Sequence, residues 1–316
     1  MADEQATEIK AFARHVLGFD LVGITTAEPL AGAAHLARWV GEGAHGGMTW
    51  MAETAPLRGD PRALLPGARS VICVAMSYHT APDPAGAAPP GRALVARYAR
   101  RKDYHKVIKT RLTRLGRRLA TIVPGARWRT AVDSAPLLEK ELAQRAGLGW
   151  IGKNTCLINR GLGSELLLGE LLTTAALPPD KPESDHCGTC TACLTACPTG
   201  ALPETRRLDA RRCLSYLTIE HRGPLPAALL PSLGDHLFGC DICQDVCPWN
   251  RHAPPSCAPP LATRPHLERL TRAELERLDE AGWAAVAAGS PLRRLDYPRL
   301  RRNLAAIAAG RGGGER

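Results

Sequence analysis

The eight cysteines between residues 187 and 247 constrain this chain more than any other feature. Cys187-x2-Cys190-x2-Cys193-x3-Cys197-Pro198 is followed by Cys213 alone, then by Cys240-x2-Cys243-x3-Cys247-Pro248. Three thiolates at two-residue gaps wrap one iron–sulfur cube, and a fourth that follows after three residues turns away to ligate a second cube. The crossover predicts two [4Fe–4S] clusters: Cys187, Cys190, Cys193 and Cys247 on cluster 1, and Cys197, Cys213, Cys240 and Cys243 on cluster 2. Zinc would use paired CxxC units, four thiolates per ion, and would leave the third cysteine of the CxxCxxC unit hard to place.

Three further cysteines lie outside the pattern. Cys73 and Cys156 sit in apolar, strand-like runs and are expected to be buried, inert thiols; Cys257 lies in a Pro-rich stretch and is expected to be free. The N-terminus, MADEQATEIK, is acidic where a secretory signal is basic, so the thiols are expected to stay reduced in the cytoplasm. No twin-arginine signal is present, and no apolar run of about 18 residues predicts a membrane span.

The spacing is that of bacterial ferredoxins, which need only roughly 60–80 residues for their clusters. Here 178 residues precede the cysteine-rich block. That excess implies an acceptor site in the same chain, with the clusters as an internal wire. The leading part alternates between helical and strand-like patterns. Residues 4–17 read as a helix, FDLVGITTA (19–27) as a strand entering a loop, and SVICVAMSY (70–78) as a second strand. A Pro/Gly/Ala loop at 81–91 is expected to be mobile. Ile108, Leu112, Leu115, Leu119 and Ile122 recur at steps of four and three, which predicts one face of a helix over 104–122. WRTAV (128–132) reads as a strand, PLLEKELAQRAG (136–147) as a helix closing on Gly147, and NTCLIN and ELLLGELLTTAAL as strands. Such alternation predicts an α/β (α+β) layer architecture. The expected organisation is a catalytic domain over 1–178, a ferredoxin-like two-cluster domain over 179–252, and a C-terminal region over 253–316. The last comprises a Pro-rich linker (253–265) and two short helices. Upstream of the cysteines no flavin, nicotinamide or P-loop fingerprint follows a strand.

Several long phrases occur in order: RGDPRALLPGARSVI (58–72), RYARRKDYHKVI (97–108), VDSAPLLEKELAQRAGLGWIGKNT (132–155) and GSELLLGELLTT (163–174). After the first cysteines come CLSYLTIEHRGPLP (213–226) and GCDICQDVCPWN (239–250), with a weaker echo, LRRNLAAIAAG, at 300–310. Across most of 58–252 the chain resembles the epoxyqueuosine reductase family. The resemblance implies a cobalamin-dependent oxidoreductase that reduces the epoxide of epoxyqueuosine, at the wobble position of tRNA anticodons, to queuosine. It implies an N-terminal cobalamin-binding domain of nitroreductase-like fold and clusters that pass electrons to cob(II)alamin. An external one-electron donor, such as a flavodoxin or ferredoxin, would feed them. The chain is expected to be a cytoplasmic monomer resembling the family's shorter form, without the helical-repeat extension that some members carry.

By the same resemblance Asp133 is the proton donor, which requires its carboxyl pKa to be raised by burial. The local pattern also fits an N-cap, with Asp133 or Ser134 ahead of a helix and Pro136 in its first turn. Both readings stand at this point. Cobalamin contacts implied by the match are Arg58, Asp133, Lys153, Asn154, Gly163, Ser164, Ser215 and Asp241, each of which could instead serve a loop or cap. No D-x-H-x-x-G stretch occurs, so no protein histidine is expected on cobalt. Arg101 stands where the family commonly has glycine, and would either reshape a loop near the cofactor or add a phosphate contact.

The formal charge of +10 suits a polyanion, although an arginine-rich composition also follows from a G+C-rich genome. Between Arg92 and Arg129 there are thirteen Lys or Arg and one acid, Asp103. Lys106, Lys109, Arg114 and Arg117 lie off the apolar face of the 104–122 helix, and Arg293, Arg294, Arg299, Arg301 and Arg302 form a second group. Either patch could follow the phosphates of an anticodon stem-loop, or be a solvated surface. A flipped base needs stacking platforms. The candidates for tRNA contact are Tyr98, Arg101, Tyr104, Lys106, His221, Arg222, Trp249, Arg301 and Arg302. The competing readings are a reductive dehalogenase-like or corrinoid-activating reductase, and a plain electron carrier that would not need so large a leading domain.

Overall fold

The computed structural model describes residues 2–80 and 91–312, so the loop expected at 81–91 falls, but for Gly91, outside the described residues. Its strands are β1 (Leu21–Thr26), β2 (Ser70–Ser77), β3 (Leu94–Val95), β4 (Trp128–Ala131), β5 (Trp150–Ile151), β6 (Leu157–Ile158), β7 (Leu166–Thr173) and β8 (His236–Phe238). The central sheet runs β1-β2-β7-β4 with every neighbouring pair antiparallel. The layers are therefore those of an α+β fold rather than a parallel α/β sheet. Two small pairs, parallel β3-β8 and antiparallel β5-β6, complete the strands.

β2 is buried along its whole length, which explains why it reads as an unbroken apolar run. Ile72, Val74 and Met76 face one core, shared with Ile9 and with Ile108, Leu112, Leu115 and Leu119 of the helix Tyr104–Ile122. Val71, Cys73 and Ala75 face the other, shared with Leu142 and Ala143 of the helix Glu139–Arg145. Burying each Leu or Ile contributes about 1.5–3 kcal/mol. The helix Tyr104–Ile122 matches its expected bounds and is capped by Asp103, whose carboxylate accepts the His105 N–H at 3.1 Å. It lies close on β7 because position 169 is glycine: a Cβ there would stand 2.6 Å from Ile108 Cγ2.

Two expectations need correction. The helix expected at 136–147 spans only Glu139–Arg145, because Asp133 turns the chain with φ of 48° and residues 134–138 close tight turns ahead of it. Leu138 caps that helix without a side-chain bond, so neither Asp133 nor Ser134 is its N-cap. The stretch 253–265 is a strap rather than a loose linker. Leu261 is fully buried, the Ser256 N–H reaches the His79 carbonyl, and Thr263 bridges Arg101. After it come four α-helices, Pro265–Glu268, Arg272–Glu276, Glu280–Ala287 and Tyr297–Gly312, where two short ones were expected. They share a core with Ala93, Val95 and Ala99 and with Leu214, Leu217 and Leu237 beside the cysteines.

Candidate active site and cluster cages

Among the eight cysteines, the thiols that influence one another electrostatically are ones the crossover groups together. Cys193 lies within electrostatic reach of Cys187 and Cys190, and Cys247 within reach of Cys187 and Cys193. Cys213 lies beside Cys197, Cys240 beside Cys213 and Cys197, and Cys243 beside Cys213 and Cys240. Donors already point at the sulfurs: Trp150 Nε1–H at 3.4 Å from Cys187 Sγ, and the Ala201 N–H at 3.3 Å from Cys197 Sγ. Backbone N–H groups of Ile242 and Trp249 reach Cys240 and Cys247. Such hydrogen bonds to sulfur are among the levers that set cluster potentials. Burial pushes the Cys247 thiol up to about 11 and the Cys240 thiol up to about 12, so binding iron must displace protons there. Cys190 is the exposed member of the eight.

Cys73 is fully buried and Cys257 exposed, as expected. Cys156 is a correction. It is only half-buried, and its thiol hydrogen-bonds Cys243, which the spacing assigns to cluster 2, so it is not an isolated core thiol. It stands there because the Asn154 side chain accepts the Cys156 N–H at 3.1 Å while donating to the Cys243 carbonyl at 3.3 Å.

Asp133 follows β4 and sits over the N-terminal end of the helix Tyr104–Ile122. Its Oδ2 lies 3.0 Å from His105 Nε2, and His105 Nδ1 lies 2.8 Å from Asp103 Oδ1. The imidazole stacks on Tyr104 with ring centroids 4.1 Å apart. Burial pushes the Asp133 carboxyl up, but the hydrogen bond and charge of His105 outweigh it, and the net direction is downward. The rise expected from sequence is therefore not the resting state. The hydrogen bond to Asp133 raises the imidazole in turn. Behind Asp133, Glu139 Oε1 accepts the Asp133 N–H at 2.6 Å. Arg294 reaches the same site from the C-terminal region, paired with Glu220 at 2.7 Å and lying over the Trp50 ring. The sequence reading singles out neither His105 nor Glu139 for this site. Asp103 ahead of the helix was the available signal for His105.

Of the other cobalamin candidates, Arg58 is 8% exposed and donates to Thr54 Oγ1 at 2.9 Å, with Glu139 and Asp133 as its charged neighbours. Lys153 Nζ donates to the Gly188 carbonyl at 2.7 Å. Ser164 is buried and bonded to Gln244 and Asn250, and Gly163 lies so close to Asn250 that a Cβ would meet its Oδ1 at 2.1 Å. Ser215 is half-buried beside Cys213. Asp241 accepts the Arg97 N–H at 2.8 Å and is raised by burial. Arg97, Cys240 and Asp241 line a cavity of about 430 Å³, within the roughly 300–1,000 Å³ of cofactor sites. Of the cobalamin candidates, Asp241 alone lies on that wall. Asp133 is not part of that wall.

The tRNA candidates divide. Lys106, Arg222 and Arg301 are exposed, and Tyr98 and His221 half-buried. Arg101 is a correction: it is 3% exposed, and its guanidinium clamps the Leu261 and Tyr78 carbonyls, fastening the strap where a phosphate contact was one expectation. Tyr104 is buried under His105. Arg302 is half-buried and spends its donors on the Leu217, His221 and Gly223 carbonyls. Trp249 packs on Trp150, ring centroids 5.0 Å apart, beside Cys187 and Cys247, and so belongs to the cluster 1 shell rather than to a base platform.

Two neighbouring groups of cysteine thiols beside an α+β domain that carries a paired carboxyl–imidazole site are the outline of an iron–sulfur oxidoreductase. Residues 186–250 match the model of a 4Fe-4S double cluster binding domain, and residues 58–134 match that of epoxyqueuosine reductase QueG. The chain is 44% identical over 305 residues to an epoxyqueuosine reductase of Xanthomonas campestris, covering 96% of this chain and 86% of that one. It is 46% identical to another from Pseudomonas aeruginosa, covering 95% and 84%. A crystal structure of epoxyqueuosine reductase with a tRNA-Tyr epoxyqueuosine-modified stem loop is similar at a TM-score of 0.88 and 29% identity, over 97% of this chain and 81% of that one. The Bacillus subtilis enzyme, with its catalytic aspartate loop swung out of the active site, is similar at 0.86 and 28%, over 98% and 83%. The chain belongs to the epoxyqueuosine reductase family.

Proposed function

We propose that this chain reduces epoxyqueuosine to queuosine at the wobble position of tRNA, electrons passing through the two [4Fe–4S] clusters to cobalamin. The observation that carries the reading is the conjunction, in a chain of this family, of eight cysteines within a 4Fe-4S double cluster binding domain and a carboxyl–imidazole pair on the adjoining sheet. Converting the epoxide to an alkene takes two electrons and two protons and releases water. Bound cobalamin would supply the reducing equivalents at the epoxide, in a site built from Arg58, Asp133, Lys153, Asn154, Gly163, Ser164, Ser215 and Asp241. Asp133 is the proton donor to the leaving oxygen. Support comes from its left-handed turn after β4 and its hydrogen bond to His105, which set a titratable carboxyl just beyond the sheet.

Electrons come in at cluster 1, whose Cys190 is the exposed ligand, from a donor such as a flavodoxin or ferredoxin. The exposed Lys106 and Lys109, with Arg222 and Arg301, follow the anticodon stem-loop, and Tyr98 and His221 flank the base. On this reading residues 1–178 form the nitroreductase-like, cobalamin-binding domain, 179–252 the cluster domain and 253–316 the C-terminal region. The chain works as a cytoplasmic monomer; no described helix is long and apolar enough to cross a membrane.

The test combines anaerobically reconstituted protein, cobalamin, a strong reductant and tRNA bearing epoxyqueuosine. Mass spectrometry should show loss of one oxygen from the nucleoside, and Asp133→Asn should impair it. Intact clusters and bound corrinoid with no oxygen loss would overturn the assignment.

A further inference from the structure

Asp133 can hand over one proton at a time, while removing an epoxide oxygen as water consumes two. We propose that Glu139 and Glu170 form a buried proton reserve behind Asp133, and that this pair recharges Asp133 during turnover. The inference rests on the function proposed above for its catalytic half; the existence of the pair does not depend on it.

Glu170 sits in the middle of β7, directly across from Cys73 on β2 and Ala131 on β4. It shares the face covered by the helix Glu139–Arg145 and is fully buried. Neither of its carboxyl oxygens meets an N–H or O–H donor. The group that faces it is the Glu139 carboxyl. A lone ionised carboxylate in such a place would be prohibitively costly. Two carboxyls in contact cannot both ionise, so one holds a proton that hydrogen-bonds to the other.

The charged and titratable neighbours do not remove that requirement. Cys73 and Asp133 add negative charge or none, and Tyr104 is neutral in its buried place. Lys140 and Arg58 act on Glu139, and Arg145 on Cys73. No cation is paired with Glu170 itself among the described residues. Burial and then the neighbouring Asp133 charge push Glu139 up to about 7, and burial together with Glu139 pushes Glu170 further up.

The connection to the reaction is Glu139, whose Oε1 accepts the Asp133 N–H at 2.6 Å. With both acids protonated, Glu139 gives its proton to the Asp133 carboxylate once the leaving oxygen has taken the Asp133 proton, and the pair is left sharing the proton of Glu170. Charge and proton count balance at each step: one carboxylic acid and one carboxylate exchange roles, and the basic leaving oxygen drives a transfer that would otherwise run uphill. Glu139 and Glu170 act through Asp133 and touch neither substrate nor cofactor.

The test uses the full-length protein and two readouts. In the infrared, wild-type protein at mildly alkaline pH should show the carbonyl band of a buried protonated carboxylic acid, shifted in D2O and absent from Glu170→Gln. In single-turnover assays Glu170→Gln should slow oxygen loss roughly tenfold or more, with a larger solvent isotope effect and a displaced pH profile at unchanged iron and corrinoid content. Glu170→Asp, which keeps an acid, should restore the band and part of the rate; a purely structural role would give no such rescue. If Glu170→Gln fails to fold, Glu139→Gln is read in the same way. A wild type without the band, or a variant whose rate and pH profile match wild type, overturns the proposal. A wild type with the band but no oxygen loss from tRNA overturns the functional reading and the recharging role, leaving only the shared proton.

Discussion

Replacing His105 with alanine isolates what holds Asp133 in its resting state. The imidazole touches Oδ2 at 3.0 Å and is itself held by Asp103 at 2.8 Å and by the Tyr104 ring. A hydrogen bond to a charged group contributes about 1.5–3 kcal/mol. Here the two side chains are 33% and 46% exposed, so water screens the pair and about 1 kcal/mol is the appropriate size. That corresponds to ~0.7 pH unit on the Asp133 carboxyl. The Asp133 value is depressed in the folded protein, so its stabilisation is present above the unfolded carboxylate value and is lost as pH falls through the folded one. The His105 value is raised, so its stabilisation is full below the unfolded imidazole value and is lost as pH rises through the folded one. Wild type should therefore exceed His105→Ala in stability between those limits, with the difference closing on both sides, as thermal melts across pH would measure. In single-turnover assays the limb that reports Asp133 protonation should move up by about 0.7 unit, whatever happens to the maximal rate. A limb that stays in place or moves down, or a stability difference that is flat with pH, would refute the reasoning.

The crossover pairing predicts which double variants are worse than single ones. Cys193→Ser with Cys247→Ser should remove one cluster and leave half the iron, whereas Cys193→Ser with Cys197→Ser should remove both; iron counting and Mössbauer spectra distinguish the two, and equal losses would reject the pairing. Arg101→Ala should lower unfolding stability by about 2–3 kcal/mol: two charge-assisted bonds to carbonyls are lost, offset by release of a buried guanidinium whose Nε has no partner. Denaturant unfolding measures it, and a loss below about 1 kcal/mol would mean that the strap is held by Leu261 and its neighbours alone.

What was legible in the sequence was whatever is written in local spacing. The cysteine intervals carried the double-cluster domain, and the four-three rhythm of Ile108 to Ile122 carried the helix to its end residues. Whatever depends on contacts across the chain was hidden. Arg101 sits in a run of cations and looks like surface, but the carbonyls that take it in are Tyr78 and Leu261, the latter 160 residues away. Arg302 was hidden in the same way by the carbonyls of 217–223. Cys156 looked inert because nothing local shows that Asn154 brings it against Cys243. The start of the helix was set three residues early because Pro136 and the acids after it imitate one. Glu170 left a usable trace, since an acid inside ELLLGELLTT, a strand buried on both faces, has to be neutral or paired.

Cys213 and Cys240 pack against a core in which Val95 and Ala99 meet Leu300 and Ile307. The thiols that would share cluster 2 are thus backed by segments some two hundred residues apart in the chain, so the spacing of one cluster's ligands depends on how the final helix docks.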